Sequence, residues 1–222
     1  MTHSIFSGIH WQAFLIAAFV LAVIPGPGML YVLARTLQAG ARDGLLSTLG
    51  TALGGLVHVV AAAFGLSVIL ATSATAFAAL KWIGAFYLIF LGLKQILAAR
   101  RDDEAVLLPD ALAALPPKPT WPAIRDGFLT EALNPKTALF FLALLPQFVA
   151  LDGAPLAPRL ILLGLIVVVF NSSADIVACI AASPLGRYLR RRPRAQQRLS
   201  QASGATMIGL GLFVAAAKPQ AS

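Results

Sequence analysis

Six separate stretches of this chain are apolar for long enough to act as membrane spans, and that governs every other reading of it. A bilayer core about 30 Å thick is crossed by roughly 20 consecutive apolar residues in a helix. The stretches run from about Trp11 to Leu33, Leu45 to Leu70, Phe77 to Leu97, Ile124 to Val149, Leu160 to Ala182 and Ala202 to Ala217, the last being short. With 59% hydrophobic and only 12% charged residues, the chain cannot clothe a water-facing surface; soluble domains carry about 25% charged residues. Lipid offers the backbone no hydrogen-bond partners, so spans of this length are expected to be helical. The expected fold class is an all-α integral membrane protein with six transmembrane helices.

The opening "MTHSIFSGIHW" has no Lys or Arg ahead of the first apolar run and no clear small-residue cleavage site, so that run is expected to be retained as a span. Cys179 is the single cysteine, which excludes an intrachain disulfide and a dithiol redox couple and leaves it a packing residue. The polar, proline-rich "RRDDEAVLLPDALAALPPKPTWP" separates the third and fourth stretches. It divides one membrane domain, 1–222, into two halves of three spans, 1–99 and 123–222, joined by the loop 100–122.

Basic residues near span ends stay in the cytoplasm. Arg35 and Arg42 follow the first span, and Lys94, Arg100, Arg101, Lys118 and Arg125 flank the central loop. Arg187, Arg190, Arg191, Arg192, Arg194 and Arg198 fill the loop after the fifth, whereas the opposite side has only Lys81, Arg159 and Lys218. The expected topology places loops one–two, three–four and five–six inside and both termini outside. A net charge of +8 and a pI near 10.4 are thereby explained by topology, not by nucleic-acid binding. Anionic lipids are the expected partners of Arg187–Arg198. Trp11, Trp82 and Trp121 fall where interfacial anchors are expected.

Within the first span stands "AVIPGPGMLYVLAR". Proline and glycine are the two worst residues for a helix interior, so Pro25, Gly26, Pro27 and Gly28 predict a break at membrane depth. Three spans per half is an odd number, so the halves enter the membrane with opposite orientation. Inverted repeats of this kind place binding sites at interrupted helices near the midplane. They predict a second break in the fourth span, and Asn134, Pro135 and Lys136 supply it. Non-helical backbone at that depth is tolerated only where protein or a water-filled cavity satisfies it. Freed carbonyls suit an ammonium and freed N–H groups a carboxylate, so two facing breaks suit a small zwitterion. The bland reading is a pair of proline kinks that only shape packing.

Ionisable residues inside spans are costly, roughly 2.5–3.5 kcal/mol on insertion scales, and default to functional hypotheses. Glu131, Lys136 and Asp175 are expected to share one polar cavity with Asn171, which lies one turn before Asp175. Lys136 is the candidate carboxylate anchor. Asp175 is a candidate proton carrier or ammonium partner, set against a structural pair with Lys136. Glu131 is a coupling candidate set against a snorkelling or capping role, and His58 a proton relay set against a hydrogen-bonded core residue. Gly50 with Gly54, and Gly84 with Gly92, read as close-packing faces that also permit a homodimer. No metal-ligand spacing and no cofactor motif stands out in the sequence, and no nucleotide-binding loop either.

Three segments in this order, "IPGPGMLYVLARTLQAGARDGLLSTLGTALGGLVH", "LKWIGAFYLIFLGLKQI" and "GFLTEALNPKTALFFLALLPQF", resemble the LysE/RhtB family of bacterial amino-acid exporters over nearly the whole chain. The resemblance implies a six-span secondary transporter of the bacterial cytoplasmic membrane. It would export amino acids or derivatives such as lysine, threonine, homoserine or homoserine lactone, in exchange for protons. The family's two proline motifs map onto Pro25, Gly26 and Pro27 and onto Asn134, Pro135 and Lys136. Two other functions stay open on the residues alone. An inorganic cation exporter on a related fold would need clustered carboxylate or thiol ligands. A membrane enzyme or assembly protein would need a reactive pair at matched depth.

Overall fold

A computed structural model describes residues 6, 8–66, 73–100, 120–150, 155–191 and 193–216. Most of the connector expected at 100–122 lies outside the described residues, as do Arg192 and Lys218 and the side chains of Trp121, Arg187, Arg190 and Arg191. Among the described residues the structure is helical, apart from one isolated antiparallel bridge between Ile9 and Val149.

The first apolar stretch forms two helices, α1 (Trp11–Val23) and α2 (Pro27–Ala39). Helix α3 (Ala41–Val60) continues as a π-helical turn, Ala61–Leu66, and α4 spans Ala74–Arg100. The fourth stretch is again divided, into α5 (Thr120–Ala132) and α6 (Pro135–Leu139), the latter prolonged by a π turn and a 3-10 turn to Phe148. Helix α7 covers Leu156–Arg191 and α8 Pro193–Ala216. Three helices are long and apolar enough to cross a membrane alone, within Ala41–Gly65, Thr75–Leu97 and Leu156–Ala182. Each bent pair qualifies as a further span if counted as one, which makes five. In α8 the apolar part, Ser200–Ala216, is shorter, as its sequence foreshadowed.

Both predicted breaks are present, bending their spans by 40° and 41°. Proline explains why each new helix starts where it does: Pro27 and Pro135 occupy the first turn, where a missing N–H costs nothing. Gly40 turns α2 into α3 at φ +92°, a conformation that L side chains rarely adopt.

Glycines set the two closest helix seams. In α3, Gly50 and Gly54 face the backbone of α5 at Ile124 and Phe128, and Gly127 faces the Ser47 carbonyl in return. In α4, Gly92 faces the Gly204 carbonyl of α8, which faces Gly92 back, while Gly84 faces Ala143. The small-residue faces are thus occupied within one chain. Phe14, Phe140, Phe141, Phe148, Leu144 and Leu163 form the apolar core among α1, α6 and α7. Ile16, Phe19, Val60, Phe86, Phe90 and Ile180 point outward, as expected where the solvent is lipid. Lys81 and Arg159, read from sequence as flanking charges, are buried at 5% and 1% exposure. Arg159 donates to the Ala150 carbonyl.

Candidate functional site

Each break begins with an orphaned carbonyl. In a continuous helix the Leu21 carbonyl would accept from residue 25, and the Glu131 carbonyl from residue 135. Both positions are proline and have no N–H to give. The two orphans are taken by side chains from elsewhere. Lys136 Nζ donates to the Leu21 carbonyl at 2.8 Å and to the Ile24 carbonyl at 2.6 Å. His58 Nε2 lies 2.9 Å from the Glu131 carbonyl; a carbonyl can only accept, so that nitrogen carries the proton. The Asn134 N–H also donates to the Glu131 carbonyl, at 3.0 Å.

The second break is knitted further by its own residues. Asn134 caps α6 by accepting from the Lys136 N–H at 3.0 Å, a role that Asn favours at helix starts. Glu131 accepts from Asn134 Nδ2 at 2.9 Å and from the Thr137 hydroxyl at 2.6 Å. Its carboxylate therefore spans the gap between the end of α5 and the start of α6. The sequence left Glu131 between coupling and a snorkelling or capping role; its side chain is 6% exposed and bridges the break. His58 is likewise buried, against the Phe141 ring.

The glycines of the first break receive the charged side chains of the second. A Cβ at Gly26 would lie 3.1 Å from Lys136 Cδ and 3.3 Å from Nζ. One at Gly28 would lie 2.5 Å from Glu131 Oε2. That is a physical reason for glycine at Gly28, where a side chain would displace the Glu131 carboxylate, and Gly26 leaves Lys136 room that a side chain would crowd.

Facing breaks enclose a cavity. Gly26, Gly28, Asn134, Lys136, Glu131, Asn171 and Asp175 all line it. Pro25, Pro27, Pro135 and His58 do not; they shape the backbone around it. Asp175 reaches it from α7 and accepts from the Thr51 hydroxyl of α3 at 2.9 Å. Lys136 donates to carbonyls rather than to Asp175, so the structural pair weighed from sequence is not the arrangement seen. Thr51, Thr137 and Ser172 also line the cavity and were missed; a hydroxyl in an apolar helix gives no signal until its partner is known. The space left to water-sized occupants is about 30 Å³, room for a water or two. With all groups ionised, one ammonium and two carboxylates share this space, so it attracts cationic groups. Among the described residues no cluster of His, Cys, Asp and Glu is arranged to hold a metal ion.

Comparison with known proteins fits these features. The family model described as LysE type translocator matches residues 19–218. A Vibrio cholerae protein described as an uncharacterized membrane protein is 31% identical over 214 residues, covering 94% of this chain and 97% of the relative. A homoserine/homoserine lactone efflux protein of Salmonella typhimurium is 29% identical over 208 residues, covering 94% and 97%. The Bacillus subtilis membrane protein YrhP is 34% identical over 143 residues, covering 64% and 68%. No solved structure matches the chain.

Proposed function

The chain belongs to the LysE type translocator family, and on that premise we propose that it exports amino acids or their close derivatives from the bacterial cytoplasm. The class we infer is that of threonine, homoserine, homoserine lactone and lysine, moved by alternating access in exchange for protons. One observation carries the reading: two proline breaks, on separate spans, face one cavity that holds an ammonium and two carboxylates. The name of the Salmonella relative supports the solute class.

In this mechanism the solute's ammonium meets Asp175 and the carbonyls of the first break. Its carboxylate meets Lys136, which has three donors and gives two of them to the Leu21 and Ile24 carbonyls. Asn171, together with the freed backbone around Pro25, Gly26, Pro27, Gly28, Asn134 and Pro135, completes the cradle. Asp175 is the proton carrier, with Glu131 as its neighbour in charge; the carbonyl bond of His58 supports a structural part for that residue. An amino acid is larger than the space available, so entry requires the helices to part, and rocking supplies that movement. Two inverted halves, 1–99 and 123–222, with both termini outside, complete the reading. It is supported by the packing of α3 against α5 and of α7 against α1 and α2, the pairs that an exchange of halves would relate.

The test is counterflow of labelled homoserine, threonine and lysine in proteoliposomes, since a carrier exchanges solute across the bilayer and an enzyme does not. Asp175→Asn is expected to abolish efflux driven by a pH gradient. Efflux that survives unchanged removes Asp175 from coupling.

A further inference from the structure

The Lys136 ammonium occupies the carbonyl pair that a solute's ammonium would seek. Resting on the carrier reading, we propose that the Leu21 and Ile24 carbonyls are the ammonium subsite, and that Lys136 fills it between solutes as a tethered placeholder. Three observations carry this. The two carbonyls sit at the proline break, where among the described residues neither accepts a backbone N–H. A single primary ammonium binds both, at 2.8 and 2.6 Å, which is the chemistry of an amino acid's own –NH₃⁺. Gly26 leaves free the volume through which the lysine stem reaches them.

The placeholder solves a problem that every carrier of this design meets. A buried carbonyl left without a donor costs about 1–3 kcal/mol, and two of them would penalise closure of the empty site. Lys136 lets the empty carrier close and reorient. When solute arrives, its ammonium replaces one primary ammonium with another, so few hydrogen bonds are lost in the exchange. The released Lys136 is then at hand for the solute's carboxylate. The ligand class of the subsite is therefore a primary ammonium: free amines and amino acids enter, and N-blocked ones do not.

The experiment compares two modes of transport in proteoliposomes, using whichever of homoserine, threonine and lysine the wild type carries best. Net efflux into solute-free medium requires return of the empty carrier; counterflow does not. Because Lys136 also anchors the carboxylate, Lys136→Met is expected to weaken solute binding in both modes. With solute at saturating concentration it is further expected to lower the ratio of net efflux to counterflow tenfold or more, and methylammonium in the medium to raise that ratio again. Lys136→Arg, which keeps a cation on the stem, is expected to hold the ratio within about threefold of wild type. Gly26→Val adds methyls beyond a Cβ that already lies 3.1 Å from Lys136 Cδ, and is expected to lower the ratio in the same direction, which keeps the inference testable if Lys136→Met does not fold. Equal loss of both modes in Lys136→Met at saturating solute, no rescue by methylammonium, or an unchanged ratio in folded Gly26→Val overturns the placeholder. Wild-type protein without counterflow overturns the carrier reading and this inference with it; wild-type counterflow with an unchanged ratio in the variants overturns this inference alone.

Discussion

The two breaks solve one chemical problem in opposite ways. At each, a proline strips the partner from the carbonyl four residues earlier. The second break is repaired largely from within: Asn134 caps the new helix and gives its N–H to the Glu131 carbonyl, and Glu131 ties Asn134 to Thr137, with His58 of α3 adding a second donor to that carbonyl. The first has no repair of its own, and its carbonyls are met from other helices, that of Pro25 by the Ser203 hydroxyl at 3.1 Å. Gly26 starts α2 without a side-chain cap, and the carbonyls of Leu21 and Ile24 depend on a lysine lent by the other break. A self-sufficient break can hold its shape whatever occupies the cavity. A dependent one offers its backbone to whichever ammonium is present. The asymmetry suggests a division of labour, with the second break as scaffold and the first as receptor.

Substitutions can break or sharpen that contrast. The largest effect is expected from Gly28→Leu, which drives a side chain into the Glu131 carboxylate where even a Cβ would lie 2.5 Å away. Overpacking of this kind costs about 1–3 kcal/mol, and proteoliposome efflux should fall to background. Next comes Glu131→Ala, which leaves the Asn134 amide and the Thr137 hydroxyl without their acceptor. At about 1–3 kcal/mol for a buried group left unpaired, the melting temperature in detergent should drop clearly, with efflux falling alongside. Pro135→Ala returns an N–H to the Glu131 carbonyl and should reduce the 41° bend. Spin labels on α5 and α6 would read the change as a lengthened distance, with efflux reduced several-fold. His58→Phe should do least: it removes one hydrogen bond worth about 1 kcal/mol and should leave efflux within about twofold. If His58→Phe silenced transport as fully as Gly28→Leu, the scaffold would be no more passive than the receptor, and the division would fail.

Sequence reasoning reached the breaks because proline acts locally: Pro25 and Pro135 announce a lost N–H wherever the chain folds. It reached the cavity's charges as well, since Glu131, Lys136 and Asp175 are conspicuous in an apolar background. It could not reach their partners. That Lys136 serves residues more than a hundred positions away, or that Gly28 exists to admit Glu131, depends on how α2 meets α5 and α6. Thr51 was invisible for the same reason; nothing but the arrival of Asp175 distinguishes it from its neighbour Thr48. The burial of Lys81 and Arg159 was not legible, because position along a hydropathy profile gives the height of a charge and not the side of the helix that carries it.

The seam between α4 and α8 bears on how such a molecule could work at all. There Gly92 and Gly204 each face the other's carbonyl, and Gly211 faces the carbonyl of Ala85. Main chain laid on main chain has no rotamers to give way, and α3 meets α5 in the same manner through Gly50 and Gly127, so both seams resist small sliding shifts. A rearrangement of helices costs least where side chain meets side chain, because there a change of rotamer can absorb the shift.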